Sequence, residues 1–424
     1  MTSIALVSSE PIRPRMAGIG IRYLELARRL PAYGFEVLLL SPADPAEAAA
    51  LGLDGARAAR FERGRAAVLL AGRDAVVAQG QLANDVLLEC PELPAAIDLY
   101  DPWLIENLAY APVLGFEPFR NDHATWSLQL ARGDFFLCSS EEQRSYYLGF
   151  LTALGRVNPE AVAGDPDLER LIAPVPFGVP EELPPHRPLL PPRAAGERRL
   201  LFGGLYDWYD PWTLLDALER LDRPEWALYL VRNPNPESTP QRLMSEVEAR
   251  CRARGWWGTR VRALDWVAAD RRFDLLRDVD VLAAPHRPSL ETRLSLRTRF
   301  LDALAAGCPV VTSEGGAMSR LLAEHRAGWV APPGDAAALA RCLEEALGGG
   351  EEVAVRRRGA VALAAELRWE RALAPLVRFC RAPRVDPTKE RFAWRPPTVV
   401  PPDPLPLRVR RGLRRRLRAV TGRA

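Results

Sequence analysis

Between Leu290 and Val311 the chain reads Leu-Glu-Thr-Arg-Leu-Ser-Leu-Arg-Thr-Arg-Phe-Leu-Asp-Ala-Leu-Ala-Ala-Gly-Cys-Pro-Val-Val. Glu291, Arg293, Arg297, Arg299 and Asp302 fall within twelve positions. Leu296, Phe300 and Leu304 run through them at helical spacing, and an apolar strand closes the segment. Ser295 is placed to cap that helix. Arg297 and Arg299 then lie near its N-terminus, where the helix dipole already favours anions. Guanidinium forks match phosphate oxygens in pairs, which an ammonium does not. Asp302, further along, can accept two hydrogen bonds from a diol. The competing reading is a solvated salt-bridge network, and the tight apolar pattern around the charges argues against it.

Two glycine loops add to this. Ala17-Gly18-Ile19-Gly20 stands between a strand and a helix, where glycines let a ligand reach backbone N–H groups. A plain tight turn explains it at least as well, and the third glycine of a dinucleotide fingerprint is missing. The second loop runs from Phe202 through Gly203 and Gly204 to Tyr206, Trp208, Tyr209 and Pro211. Its glycines could admit a diphosphate and its aromatics could wall off a base or sugar; a turn with a local aromatic cluster is an equal alternative. Asp278-Val279-Asp280 has the look of a metal-holding pair, but it leads straight into the apolar run Val281 to Ala284 and reads as a polar strand entry. The six cysteines and four histidines are scattered, so no metal, no cofactor and no disulfide framework are expected.

The elements that must position these residues repeat a strand, loop, helix rhythm. Ile4 to Val7, Val37 to Leu40, Ala75 to Ala78, Ala95 to Asp98 and Phe135 to Cys138 read as buried strands, and the first helix presents Ile21, Leu24, Ala27 and Leu30 before Gly34 stops it. Prolines from Pro174 to Pro192 mark a linker. A second series then begins with Leu200 to Phe202, a helix over Trp212 to Leu221, and strands near Trp226 to Val231, Val261 to Ala263, Val279 to Ala284 and Pro309 to Thr312. An α/β fold of two doubly wound Rossmann-like domains facing across a cleft follows, with the ligand expected at the carboxyl ends of the strands. The boundaries are 1–178, a Pro-rich linker 179–197, 198–380 including C-terminal helices, and a Pro-rich and basic tail 381–424. Helices are expected at Asp335 to Leu347 and Arg356 to Cys380, the second kinked at Pro375. A net charge of +3 over 424 residues names no partner. No apolar run is long enough to span a bilayer and no cleavable leader is apparent, so a cytoplasmic protein is expected.

At this point the chain resembles the retaining glycosyltransferases of GT-B fold in glycosyltransferase family four, over roughly residues 1 to 380. The residues that carry the resemblance are Gly18 and Gly20, then Asp302, Gly307, Pro309, Val310 and Val311. It is closer to a subset with Leu-Glu-Thr-Arg-x-Ser-x-Arg-Thr-Arg-x-x-Asp, Gly203 to Pro211, Cys138 to Arg144 and Pro176 to Pro180. Leu294 stands where the wider family has the first acid of its Glu-seven-Glu motif. Gly204 and Tyr209 stand where it has an Arg and a Lys.

The resemblance implies transfer of a sugar from a nucleotide sugar with retention and without a metal. Gly203, Gly204, His286, Glu291, Ser295, Arg297, Arg299 and Asp302 would bind the donor, with Arg297 stabilising the leaving diphosphate. Gly18, Gly20 and Arg22 would serve the acceptor or a phosphate, and Asp101 is the candidate base, its alternative being a turn-forming Asp-Pro. The acceptor would be a glycan or a lipid-linked molecule. The alternative is a non-catalytic GT-B protein that binds sugar or nucleotide. In the tail, Val409, Leu413, Leu417 and Val420 recur among arginines, which favours residues 404–424 lying on an anionic membrane surface. A solvated tail is the alternative, and nucleic-acid binding is not expected.

Overall fold

The computed structural model describes residues 1–221, 223, 225–233, 242–389, 405 and 409. The first sheet has seven strands in the order β3-β2-β1-β4-β5-β6-β7. These are β1 Ser3–Val7, β2 Glu36–Ser41, β3 Arg57–Arg60, β4 Ala75–Ala78, β5 Ala95–Asp98, β6 Phe135–Cys138 and β7 Ile172–Pro174. Every ladder in it is parallel. Helices cover both faces of such a sheet, which is why β1, β4, β5 and β6 are buried at every position and read as continuous apolar runs. Arg57–Arg60, at the edge, lacks that signal and was not anticipated.

The second sheet has six strands, order β10-β9-β8-β11-β12-β13. They are β8 Arg198–Gly204, β9 Trp226–Val231, β10 Val261–Leu264, β11 Val281–Ala283, β12 Val310–Ser313 and β13 Gly328–Ala331. These ladders are parallel too. The register of β8 on β9 slips between Leu201 and Gly203, so the strand continues through both glycines with a bulge. The two sheets with their helices are the two doubly wound units expected from the sequence.

Three expectations need correction. Pro174 does not lie in a linker: it ends β7, opposite Cys138. Among the described residues β7 has β6 as its only neighbour, and on such an edge strand a residue without an N–H is tolerated. The prolines after it are pinned. Asp278 accepts from His186 Nε2 at 2.9 Å and from the amides of Leu189 and Leu190 at 2.6 and 2.8 Å. Asp280 accepts from Arg193 and from the Arg199 amide. The Asp-Val-Asp pair therefore straps the Pro-rich segment to the second sheet.

The helix expected over Arg356 to Cys380 is three helices, Glu351–Glu366, Trp369–Ala372 and Ala374–Arg381. Pro375 opens the last of them and kinks nothing. At the break the chain crosses back: Val179 N donates to Leu367 O at 2.8 Å and Trp369 N to Val179 O at 3.3 Å. Gly178 permits the crossing, since a Cβ there would lie 2.6 Å from Trp369 Cα.

The chain after the crossing packs on the first sheet and is no appendage of the second. Phe379 stacks on Phe135, and Arg29 bonds Glu370 at 3.1 Å. Lys389, the sole lysine, bonds Asp134 at 2.9 Å, and Arg156 bonds Asp386 at 2.8 Å. The membrane-binding expectation for residues 404–424 lies outside the described residues apart from Leu405 and Val409. No helix among the described residues is long and apolar enough to cross a membrane.

Candidate functional site

A cleft of about 470 Å³ opens between the two sheets. The first-sheet side contributes Gly18 at the start of the helix Gly18–Arg29 and the segment after β5, with Asp101, Glu106 at the end of the helix Trp103–Glu106, and Tyr110 at the end of the 3-10 helix Asn107–Tyr110. The second contributes Gly203, Gly204, the aromatics after them, and Ser295 to Asp302. The two sides touch through Tyr100 Oη to Leu296 O at 2.8 Å and Trp266 Nε1 to Met16 O at 3.1 Å.

The charge-dense segment breaks into two helices, Leu290–Leu294 and Thr298–Ala305. Ser289 caps the first, its Oγ accepting from Thr292 N at 3.0 Å. Ser295 was expected to cap the second and does not. It ends the first helix, and its buried Oγ has no hydrogen-bond partner. The apolar stripe survives the break because Leu296, Phe300 and Leu304 all remain buried.

Arg297 and Glu291 form a bidentate pair at 2.7 and 2.6 Å, with side chains 6 % and 5 % exposed. Arg297 Nε stays buried without a partner. Arg299 differs. It makes no ion pair among the described residues, and its Nη1 donates to Phe202 O and Gly204 O, both at 2.9 Å. Both guanidinium groups lie over the Tyr209 ring, at 4.9 and 4.4 Å from its centroid. Gly203 sits at φ 86° beside Arg299, a conformation and a closeness that favour glycine. Asp302 Oδ1 accepts from Arg272 Nε at 3.1 Å. Burial raises the Asp302 carboxyl above its ordinary value and the Arg272 charge opposes the rise.

Three predicted residues lie elsewhere than expected. His286 is 2 % exposed, packed between Tyr209 and Phe300, with Nδ1 3.1 Å from Ala284 O. It does not line the cleft. Burial and the Arg297 and Arg299 charges hold its ring neutral. Arg22 is wholly buried, bonded to Asp98 at 2.7 and 3.2 Å and to Val175 O at 2.9 Å. It ties β5 to the turn after β7 and does not line the cleft. Gly20 N donates to Glu10 Oε2 at 2.6 Å, and Ala17 N to Glu10 Oε1 at 2.5 Å. The helix N-terminus that looked ready for a phosphate already holds the protein's own carboxylate. Gly18 does line the cleft, close enough to the second side that a Cβ would be 3.6 Å from Thr298 Oγ1.

Asp101 lines the cleft as expected, and the Glu106 carboxyl lines it too. Burial raises both acids above their ordinary values, and the Asp101 charge further opposes ionisation of Glu106. Glu106, Tyr110, Trp266 and Arg272 escaped the sequence reading. The short helices after Asp101 carry no repeat or spacing that sets Glu106 apart from a surface acid. The aromatics Tyr100, Trp103 and Tyr110, close together after a strand end, are the signal that was there.

Asn107 lines the cleft and is held by Asp122, which accepts from its Nδ2 at 2.7 Å. Burial pushes the Asp122 carboxyl from 3.8 up to about 6, with Asn107 opposing. A folded value above the unfolded one means stability that is present below pH 3.8 and lost as pH rises through about 6. Asp122→Asn is therefore expected to flatten the fall of the urea midpoint across that window. An unchanged slope in the variant would show that Asp122 does not titrate this way.

Residues 197–348 match the family described as Glycosyl transferases group 1. No curated protein matches the sequence. Solved structures match almost end to end. Sucrose-phosphate synthase of Thermosynechococcus elongatus superposes with a TM-score of 0.66 at 17% identity, over 90% of this chain and 98% of that one. HepE of Anabaena, in complex with UDP-glucose, gives 0.64 at 16% identity over 90% and 100%. WaaG, a glycosyltransferase involved in lipopolysaccharide biosynthesis, gives 0.56 at 16% identity over 88% and 99%. The fold is that of the GT-B glycosyltransferases.

Proposed function

We propose that this chain transfers a sugar from a nucleoside diphosphate sugar to a hydroxyl acceptor, retaining the anomeric configuration and using no metal. The observation that carries the reading is Arg299. It is a cleft cation without a carboxylate partner among the described residues, set beside two glycines at the end of β8. Such a charge fits the diphosphate that develops as the sugar leaves. The group 1 match over the same half of the chain, and the UDP-glucose bound to HepE, support a nucleotide sugar as donor.

In this reading Arg299 faces the leaving diphosphate. Ser295 Oγ and Arg297 Nε, both buried and unpartnered, supply further donors. Asp302 Oδ2, which accepts no hydrogen bond among the described residues, takes the ribose. The acceptor oxygen bonds to the anomeric carbon on the face the diphosphate leaves. The electrons of the broken C–O bond go to the phosphate, which takes the acceptor proton. Glycan or lipid-linked acceptors, and docking of residues 404–424 on an anionic membrane, belong to the same proposal.

The test is a panel of nucleotide sugars with neutral glycoside acceptors, with and without a chelator. The expected result is release of nucleoside diphosphate, unaffected by the chelator, and an axial or equatorial product linkage that repeats the donor's by NMR. Nucleotide binding with no turnover for any donor would instead support the non-catalytic alternative.

A further inference from the structure

The two walls of the cleft differ in charge. Its cations, Arg272, Arg297 and Arg299, all stand on the second-sheet side. The lining residues of the first-sheet side include no lysine or arginine, and its charged groups are Asp101 and Glu106. Those two carboxyls stand together in the lining, and their oxygens offer lone pairs that accept from hydroxyls.

Beside them Tyr110 is 5 % exposed, and its hydroxyl has no partner. Burial, Asp207 and Glu106 keep that phenol protonated, so it can donate. Its ring meets Trp208 edge to face at 6.4 Å, and Trp208 Nε1 is likewise unpartnered. Trp208 stacks on Tyr206 at 5.0 Å with the rings 4° from parallel. Hydrogen-bonding groups left open beside a flat aromatic wall suit a ring that has apolar faces and hydroxyl edges.

We infer that Asp101, Glu106 and Tyr110, against Trp208, form the acceptor subsite and select an uncharged, hydroxyl-bearing ring over phosphorylated or carboxylated ones. The inference rests on the transferase reading and names its acceptor class. An acceptor phosphate or carboxylate would face two acids with no cation on that wall, and like charges in a cleft are costly. The carboxyl oxygens instead accept from ring hydroxyls, and the Tyr110 hydroxyl donates to one.

The test titrates the full chain with methyl glycosides of glucose, galactose and mannose, with their 6-phosphates and with the matching uronates. Tryptophan fluorescence reports binding. At least one neutral glycoside is expected to bind about tenfold or more tightly than its phosphate and uronate. Tyr110→Phe is expected to weaken that binding about tenfold while leaving the melting temperature unchanged or higher, because it removes a hydroxyl that has no partner in the fold. Asp101→Asn is expected to narrow the preference against the charged rings. Equal or tighter binding of the charged rings, no binding by any neutral glycoside, or unaltered binding by Tyr110→Phe would overturn the inference. Titration of UDP, GDP and ADP into the same samples judges the transferase reading separately. If none binds, that reading fails, whatever the glycosides do.

Discussion

Arg299→Ala is expected to lower kcat/KM about 10²- to 10³-fold, the usual cost of one preorganised donor at a developing negative charge. Among the three cleft arginines its charge is the one not matched by an acid. Arg297 is matched by Glu291 and Arg272 by Asp302. Arg299 is held by two carbonyls and the Tyr209 ring, which fix its direction without cancelling its charge. Lysine should not rescue it. An ammonium can reach one partner well but cannot hold two carbonyls and a phosphate in the fork geometry of a guanidinium. The loss should appear in kcat/KM and in nucleotide affinity together, with a melting temperature near that of the parent. Unchanged UDP affinity in Arg299→Ala would remove Arg299 from the diphosphate site and the main support for the proposed function with it.

The strands were the most legible part of the sequence, for a reason the sheets make plain. A parallel strand buried on both faces has to be apolar throughout, so β4, β5, β6 and β9 could be bounded to the residue. Edge strands lack that constraint, which hid Arg57–Arg60 and let Pro174 pass for linker. The helical segment at Leu290 was legible as apolar periodicity, but the break at Ser295 was not. Ser295 sits at ψ 128° and Arg297 at ψ 108°, and the turn between the two helices is fixed by the Glu291–Arg297 pair and by Gln143 and Tyr100 reaching across from the first sheet. Nothing local in Leu-Ser-Leu-Arg announces those partners. The same limit explains Arg22 and His286. Residue type and position suited a ligand, while the buried Asp98 and Thr312 that occupy them lie 76 and 26 positions away. Glu10 is the instructive case. A plain tight turn and a ligand-binding loop were both open at Gly18 and Gly20, and the Gly20 amide there is taken by a side chain ten residues earlier.

Removing one partner of the Glu291–Arg297 pair is expected to cost about 3–5 kcal/mol of folding stability, read from the urea midpoint. Glu291→Ala would leave the Arg297 guanidinium 6 % exposed with no carboxylate, and Arg297→Ala would leave Glu291 5 % exposed with no cation. In each case the cost comes from the charge left behind. Glu291→Leu combined with Arg297→Met should therefore cost less than the two single changes added together, because it strands neither ion. Additive losses, or a single loss below about 1 kcal/mol, would mean that the pair is not desolvated as described. The cycle also separates two roles that an activity assay would merge. Arg297→Ala would depress transfer whether Arg297 touches the donor or only holds the turn that carries Arg299. A double variant that regains stability without regaining nucleotide affinity would place Arg297 Nε on the ligand; one that regains both would make the pair a positioning device for Arg299.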